Sequence, residues 1–88
     1  MYYFYLARCS DNSLYSGSTN NVKEREKLHN EGKGAKYTNA RKPVTIVYFE
    51  KFTTRSAALK REARVKKLSK KEKELLIVEK TNRRGRAK

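Results

Sequence analysis

Among its 88 residues the chain has one cysteine, one histidine, one proline and no tryptophan. With Cys9 alone, no internal disulfide can form. Adding the single histidine still leaves too few N or S ligands for the usual four-ligand zinc frameworks. Cys9 ends an apolar stretch and reads as a buried structural thiol. Long apolar runs are missing as well. Hydrophobic residues make up 36% of the chain, and no run approaches the roughly 20 residues a spanning helix needs. Met1 to Ala7 is apolar, but it lacks a basic leader and is too short for a signal peptide. The expectation is a cytoplasmic protein, free or associated with nucleoid or ribosome, with no membrane partner.

Acidic residues are also scarce. There are 9 Asp and Glu against 23 Lys and Arg, a formal charge of +14. Residues 1–50 hold 8 basic and 5 acidic side chains, whereas residues 51–88 hold 15 and 4. So lopsided an excess favours a polyanion, DNA or RNA, with DNA preferred. The basic helices lack the bulky aromatic face that insertion into an anionic membrane requires.

Eighty-eight residues allow one domain and one modest core. Tyr2 to Cys9 is apolar on both alternating faces, as in a strand covered on both sides. Ser10-Asp11-Asn12-Ser13 is turn chemistry, and Leu14 to Ser18 is the returning strand. Register matters here. A three-residue loop at Asp11 to Ser13 sets Ser10 opposite Leu14 and turns Tyr5 and Tyr15 to one face. A loop of two or four residues separates them.

Asn21 with Glu24 resembles a capping box for a helix over 22–30, closed by Gly32. Residues 31–42 read as a polar loop. Pro43 introduces a third strand over 44–52, rich in β-branched and aromatic residues. Thr53, Thr54 or Ser56 can cap a second helix reaching Leu68, and Ser69 with Glu72 caps a third. From Lys80 onward apolar periodicity ends. The expected organisation is a domain over 1–80 and a disordered basic tail over 81–88. The predicted order is β-β-α-β-α-α: an α+β fold with a small three-stranded antiparallel or mixed sheet flanked by helices.

The ordered set of residues is the informative part. Tyr3-Phe4-Tyr5 is followed by Tyr15-Ser16-Gly17 and Thr19-Asn20. Arg25 and His29 then lie four residues apart, on one helical face. The loop Gly32-Lys33-Gly34-Ala35-Lys36-Tyr37-Thr38, Pro43, and Ala58-Leu59-Lys60-Arg61-Glu62 complete it. Across about residues 2–78 this set resembles the GIY-YIG nuclease superfamily, and within it a small stand-alone bacterial branch. Tyr3 and Phe4 stand where the first motif has glycine and isoleucine, and Ser16 replaces the middle residue of the second. Tyr5, Tyr15 and Gly17 keep the defining positions.

The resemblance implies a metal-dependent endonuclease that leaves a 5′-phosphate and a 3′-hydroxyl. Tyr5 and Tyr15 become candidates for orienting or deprotonating water, with the choice between them open. An ordinary phenol, with pKa about 10, needs help to do this. Arg25 is the expected clamp on the scissile phosphate, and His29 shares proton transfer or phosphate binding. Glu62, the sole acid between Lys51 and Lys71, is the metal candidate for one Mg²⁺ or Mn²⁺ that keeps much of its water. Gly17 permits a close backbone approach or an unusual φ. Lys33, Lys36, Tyr37 and Arg41 in the loop, with Lys60, Lys66 and Lys67 on the helix, are expected to hold the nucleic-acid backbone, with Tyr37 stacking on a base. A monomer acting on branched, flapped or single-stranded DNA, in repair or processing, is favoured over a sequence-specific cutter. The rival reading is a catalytically silent module that binds DNA or RNA, including a ribosome-associated form.

Overall fold

A computed structural model describes the backbone of residues 1–86 and the side chains of residues 1–79. The strands are β1 (Tyr2–Arg8), β2 (Leu14–Thr19) and β3 (Thr45–Phe52). The helices are α1 (Val22–Asn30), α2 (Lys36–Asn39), α3 (Arg55–Lys66) and α4 (Lys70–Arg86). All strand pairings are antiparallel, in the order β2-β1-β3. None of the helices searched among the described residues is long and apolar enough to cross a membrane.

The double-sided apolar run places β1 in the middle. Phe4 and Leu6 face one layer with Tyr48 and Val65, against which Leu68, Leu76 and Ile77 of the C-terminal half pack. Tyr5, Ala7 and Cys9 face the other, with Val44, Tyr15 and Ile46. A bulge opposite the Leu6–Ala7 step makes this possible on β3. Leu6 pairs with Tyr48 and Ala7 with Ile46, so Val47 is the extra residue and two even-numbered side chains serve opposite faces.

The hairpin differs from expectation by one residue. Its loop has three residues, but they are 10–12, with Cys9 and Ser13 bonded across it at 2.9 Å. The third loop position takes the left-handed conformation, and Asn12 (φ 69°) tolerates this where Ser13 would not. Asp11 accepts from both the Ser13 amide and hydroxyl and holds the turn. Pairing therefore moves by two residues, to Arg8 opposite Leu14, and the faces are preserved.

Asn21 caps α1 by accepting from the Glu24 amide at 3.0 Å. Gly32 (φ 78°) ends the helix, its amide on His29 carbonyl and that of Lys33 on Leu28 carbonyl. Two side chains on α1 then reach β3. Glu26 accepts from the Ile46 amide at 2.7 Å, and Asn30 exchanges two bonds with the Val44 backbone. Residues 31–42, expected as loop, contain the single turn α2. It forms because Thr38 is drawn into the interior, where its hydroxyl donates to Ala35 carbonyl.

Thr54, of the three possible caps, starts α3 through the Ala57 amide. Glu50 receives Arg61 bidentately, with Tyr48 on the same carboxylate. Ser69 and Glu72 form the full capping box on α4. Arg8 grips Glu74 with two bonds of 2.7–2.8 Å and ties α4 to β1. Those bonds, chiefly the Arg8 hydrogen bonds, hold the Glu74 carboxyl at about 2. The backbone of α4 continues to Arg86, through most of the segment expected to be disordered. Lysine and arginine are good helix formers and no proline interrupts them. Side chains from residue 80, and residues 87–88 altogether, lie outside the described residues.

Candidate active site

The odd-numbered face of β1 presents Tyr5, and the preserved hairpin parity brings Tyr15 beside it, ring centroids 6.4 Å apart. From α1, the His29 ring meets both, at 5.8 Å from Tyr5 and 5.5 Å from Tyr15. Tyr5 and His29 are each only 1% exposed, whereas Tyr15 is partly open to solvent.

A hydrogen-bond chain fixes the proton positions. Thr38 donates its hydroxyl proton to Ala35 carbonyl at 2.9 Å. Its oxygen must therefore accept from His29 Nδ1–H, 2.8 Å away. That leaves Nε2 of a neutral imidazole as acceptor for the Tyr5 hydroxyl at 2.7 Å. Burial pushes the Tyr5 phenol well above its ordinary value, partly opposed by Arg25 and reinforced by Tyr15 and Glu62. Burial also lowers the His29 pKa, and the Arg25 charge lowers it further.

Two glycines are shaped by this pair. A side-chain carbon at Gly17 would stand 2.6 Å from the Tyr5 hydroxyl oxygen, and one at Gly34 would collide with His29 Nδ1. Gly32 is needed for its positive φ; Gly34 is not in that region and is needed for space.

Arg25 and Glu62 complete the neighbourhood. Both charges act on the Tyr5 phenol, Arg25 lowering its pKa and Glu62 raising it. Arg25 holds no ion pair or side-chain hydrogen bond among the described residues. Glu62 is 16% exposed and pairs with Lys66 at 2.9 Å, and Lys66 in turn feels Tyr15. The structure brings the Tyr5, Tyr15 and His29 rings together from three elements, and the charges of Arg25 and Glu62 act on Tyr5.

No group of three or more His, Cys, Asp or Glu side chains that could hold a metal exists among the described residues. A single sheltered carboxylate is still a hard oxygen donor. Its chemistry fits one hydrated Mg²⁺ or Mn²⁺ and excludes a soft, fully protein-ligated ion.

The expected backbone-binding residues separate into groups. Lys60 on α3, Lys67 at its C-cap and Lys36 on α2 are exposed. Lys33 is exposed and lies 3.8 Å from Glu31. Lys66 is occupied by Glu62 at the site instead of extending a track along the helix. Arg41 is bound to Asp11 at 3.0 Å and to Tyr37 carbonyl at 2.9 Å. It joins the hairpin loop to α2, because Asp11 offers the nearest carboxylate. Tyr37 already stacks on Tyr15, centroids 6.1 Å apart, and receives the Arg41 guanidinium at 3.8 Å. It forms one wall of the site, next to Tyr15.

Sequence reasoning missed Thr38 and the purpose of Gly34. The one available signal was a second glycine two residues after the glycine that already ends α1.

The buried neutral imidazole makes stability depend on pH. Its folded pKa lies below its unfolded value, so the unfolded chain binds more protons as pH falls. The His29 contribution is therefore complete above about pH 6.5 and lost as pH falls from there. His29 is the only histidine, and the lowered carboxyls of Asp11 and Glu74 titrate below this window. Urea midpoints at pH 7.5 and 5.0 should differ in the wild type and converge in His29→Gln. Equal pH slopes in both would contradict the assignment.

Comparison with known proteins agrees with the geometry. The family described as the GIY-YIG catalytic domain matches residues 1–75. UPF0213 protein YazA of Bacillus subtilis strain 168 is 49% identical over 81 residues, covering 92% of this chain and 82% of the relative. The solution NMR structure of UPF0213 protein BH0048 from Bacillus halodurans has a TM-score of 0.56 at 42% identity, covering 89% of this chain and 84% of that one. That of protein EF2693 from E. faecalis has a TM-score of 0.57 at 47% identity, covering 86% and 81%. On the family match over residues 1–75 and the relatives at about half identity, the chain belongs to the GIY-YIG catalytic-domain family, within the nuclease superfamily, alongside the small UPF0213 proteins.

Proposed function

We propose that the protein is an endonuclease that hydrolyses DNA phosphodiester bonds with the aid of one divalent ion. The observation that carries this reading is the Tyr5–His29–Thr38 chain beside an arginine with no ion-pair partner among the described residues. Such an arrangement can move a proton and hold a phosphate.

Arg25 offers its guanidinium to the non-bridging oxygens of the scissile phosphate. Tyr15, the more accessible tyrosine, orients the attacking water. The Tyr5 hydroxyl already points its proton at an acceptor. As that proton passes to His29 Nε2, the Tyr5 oxygen can take one from the water, so free phenolate need never accumulate. Thr38 holds Nδ1–H and keeps Nε2 available for this transfer. Water oxygen bonds to phosphorus, the bond to the 3′-oxygen breaks, and the products are a 5′-phosphate and a 3′-hydroxyl. Glu62 would hold Mg²⁺ or Mn²⁺, which supplies Lewis-acid stabilisation of the phosphate and the leaving oxygen.

Branched, flapped or single-stranded DNA, met in the cytoplasm or at the nucleoid during repair or processing, is the substrate we favour. The basic surface of α3 recognises a backbone and carries no base-reading groove element. Labelled single-stranded, duplex and branched DNA, with Mg²⁺, Mn²⁺ or EDTA, provides the test. Metal-dependent cutting that falls about 100-fold or more in Arg25→Ala is expected, given the strength of charge-assisted phosphate contacts in a transition state. Salt-sensitive binding with no cutting under any condition would select the silent binding module instead.

A further inference from the structure

A second polar cavity opens where the end of β2 meets the first turns of α1 and α3. It measures about 190 Å³ and is lined by Tyr2, Ser18, Thr19, Asn20, Arg25 and Arg55. The lining residues include two arginines and are otherwise polar, and none is acidic. Of the six arginines with described side chains, three pair with a carboxylate, and Arg25, Arg55 and Arg64 do not. Arg8, Arg41 and Arg61 each rest on a carboxylate, from Glu74, Asp11 and Glu50. Arg25 and Arg55 hold no such partner among the described residues, although they share one cavity.

Two like charges at one cavity oppose each other unless an anion enters. The backbone adds to the positive field. Arg55 is the first residue of α3, and Thr19 and Asn20 lead into α1. The positive ends of both helices therefore approach the same space. The lining favours a small, oxygen-rich anion over a base. A neighbouring groove of about 330 Å³, lined by Tyr3, Val22 and Phe49 with Asn20, Asn21 and Lys23, offers the aromatic surface a base would take. Asn20 borders both.

We propose that the Arg25–Arg55 cavity is a phosphate subsite that holds a backbone phosphodiester adjacent to the scissile one, on a single strand whose base lies against Tyr3 and Phe49. This rests on the nuclease reading for the position of the scissile phosphate. Arg25 then stands between two phosphates and Arg55 belongs to the outer one. Arg55 is a binding residue and takes no part in bond breaking.

The test compares Arg55→Gln with Arg64→Gln. Both are exposed and remove one charge from α3, but only Arg55 lines the cavity. Affinity for a short 3′-labelled single-stranded oligonucleotide is measured by fluorescence anisotropy in EDTA over a range of salt. Arg55→Gln should weaken binding about tenfold, the order expected for a charge-assisted phosphate contact, and reduce the salt slope by about one. Arg64→Gln should change affinity by about twofold or less, as an exposed charge with no fixed contact. Arg55→Lys should recover the salt slope. Equal losses in the two glutamine variants would overturn the subsite. So would an Arg55 penalty seen only with a 5′-phosphorylated oligonucleotide, because the occupant would then be a terminal phosphate. The nuclease reading fails separately: a wild type that never cuts, yet shows the Arg55-specific loss, keeps the subsite and removes the hydrolysis.

Discussion

Glu62→Gln is expected to lower DNA cleavage by roughly 10³-fold or more while affinity for the same DNA in EDTA stays equal or rises slightly. The size follows from the several kcal/mol of charge stabilisation that a bound dication supplies, at 1.36 kcal/mol per tenfold in rate. The sign on binding follows from removing a negative charge beside a phosphate. Glutamine keeps the shape and a weak oxygen donor, so the fold should hold. One side effect is foreseeable. Lys66 loses its partner at 2.9 Å and becomes free to meet the substrate, which also favours binding. Single-turnover cleavage by the variant at the wild-type rate would remove Glu62 from any metal role.

Gly34→Ala is the second substitution with a large expected effect. The added methyl would collide with His29 Nδ1 and crowd the edge of the imidazole. His29 is fully enclosed and cannot swing aside without giving up Tyr5 or Thr38. Overpacking of this kind costs about 1–3 kcal/mol, and breaking the proton chain adds a loss of cleavage of about 100-fold, within the range attributed to acid–base groups. Gly32→Ala serves as the comparison. It strains the positive φ that ends α1, but it leaves His29 untouched. Stability should fall in both, whereas kcat measured well below the melting temperature should fall steeply only in Gly34→Ala. Matching kcat losses would show that the glycine serves the loop alone.

Much of the architecture was legible because single residues carry it. The double-sided apolar run from Tyr2 to Cys9 announced a strand covered on both sides, and Asn21, the group Thr53, Thr54 and Ser56, and Ser69 announced three helix starts. What remained hidden depends on contacts between distant parts. Nothing local reveals that Thr38 will enter the interior to receive His29, and α2 exists because it does. The hairpin loop was displaced by one residue because the left-handed position chose Asn12 over Ser13. At the candidate site, Tyr5, Tyr15, Arg25, His29 and Glu62 were proposed from their order along the chain, and the structure sets the rings of Tyr5, Tyr15 and His29 side by side. Their environments could not. Burial decides that Tyr5 holds its proton and that His29 stays neutral, and Asp11 decides that Arg41 is occupied. Arg55 escaped notice among many basic residues; only the cavity it shares with Arg25 distinguishes it.

The helix α1 acts as a splint. Arg25 and His29 work on one side of it, while Glu26 and Asn30, each one step further along the chain, are stitched to the β3 backbone at Ile46 and Val44. One residue is a turn of roughly 100° about the axis, so the helix cannot roll to follow a pulled phosphate without tearing those stitches. The spacing and direction of the guanidinium and the imidazole are therefore set by the sheet and not by the helix alone.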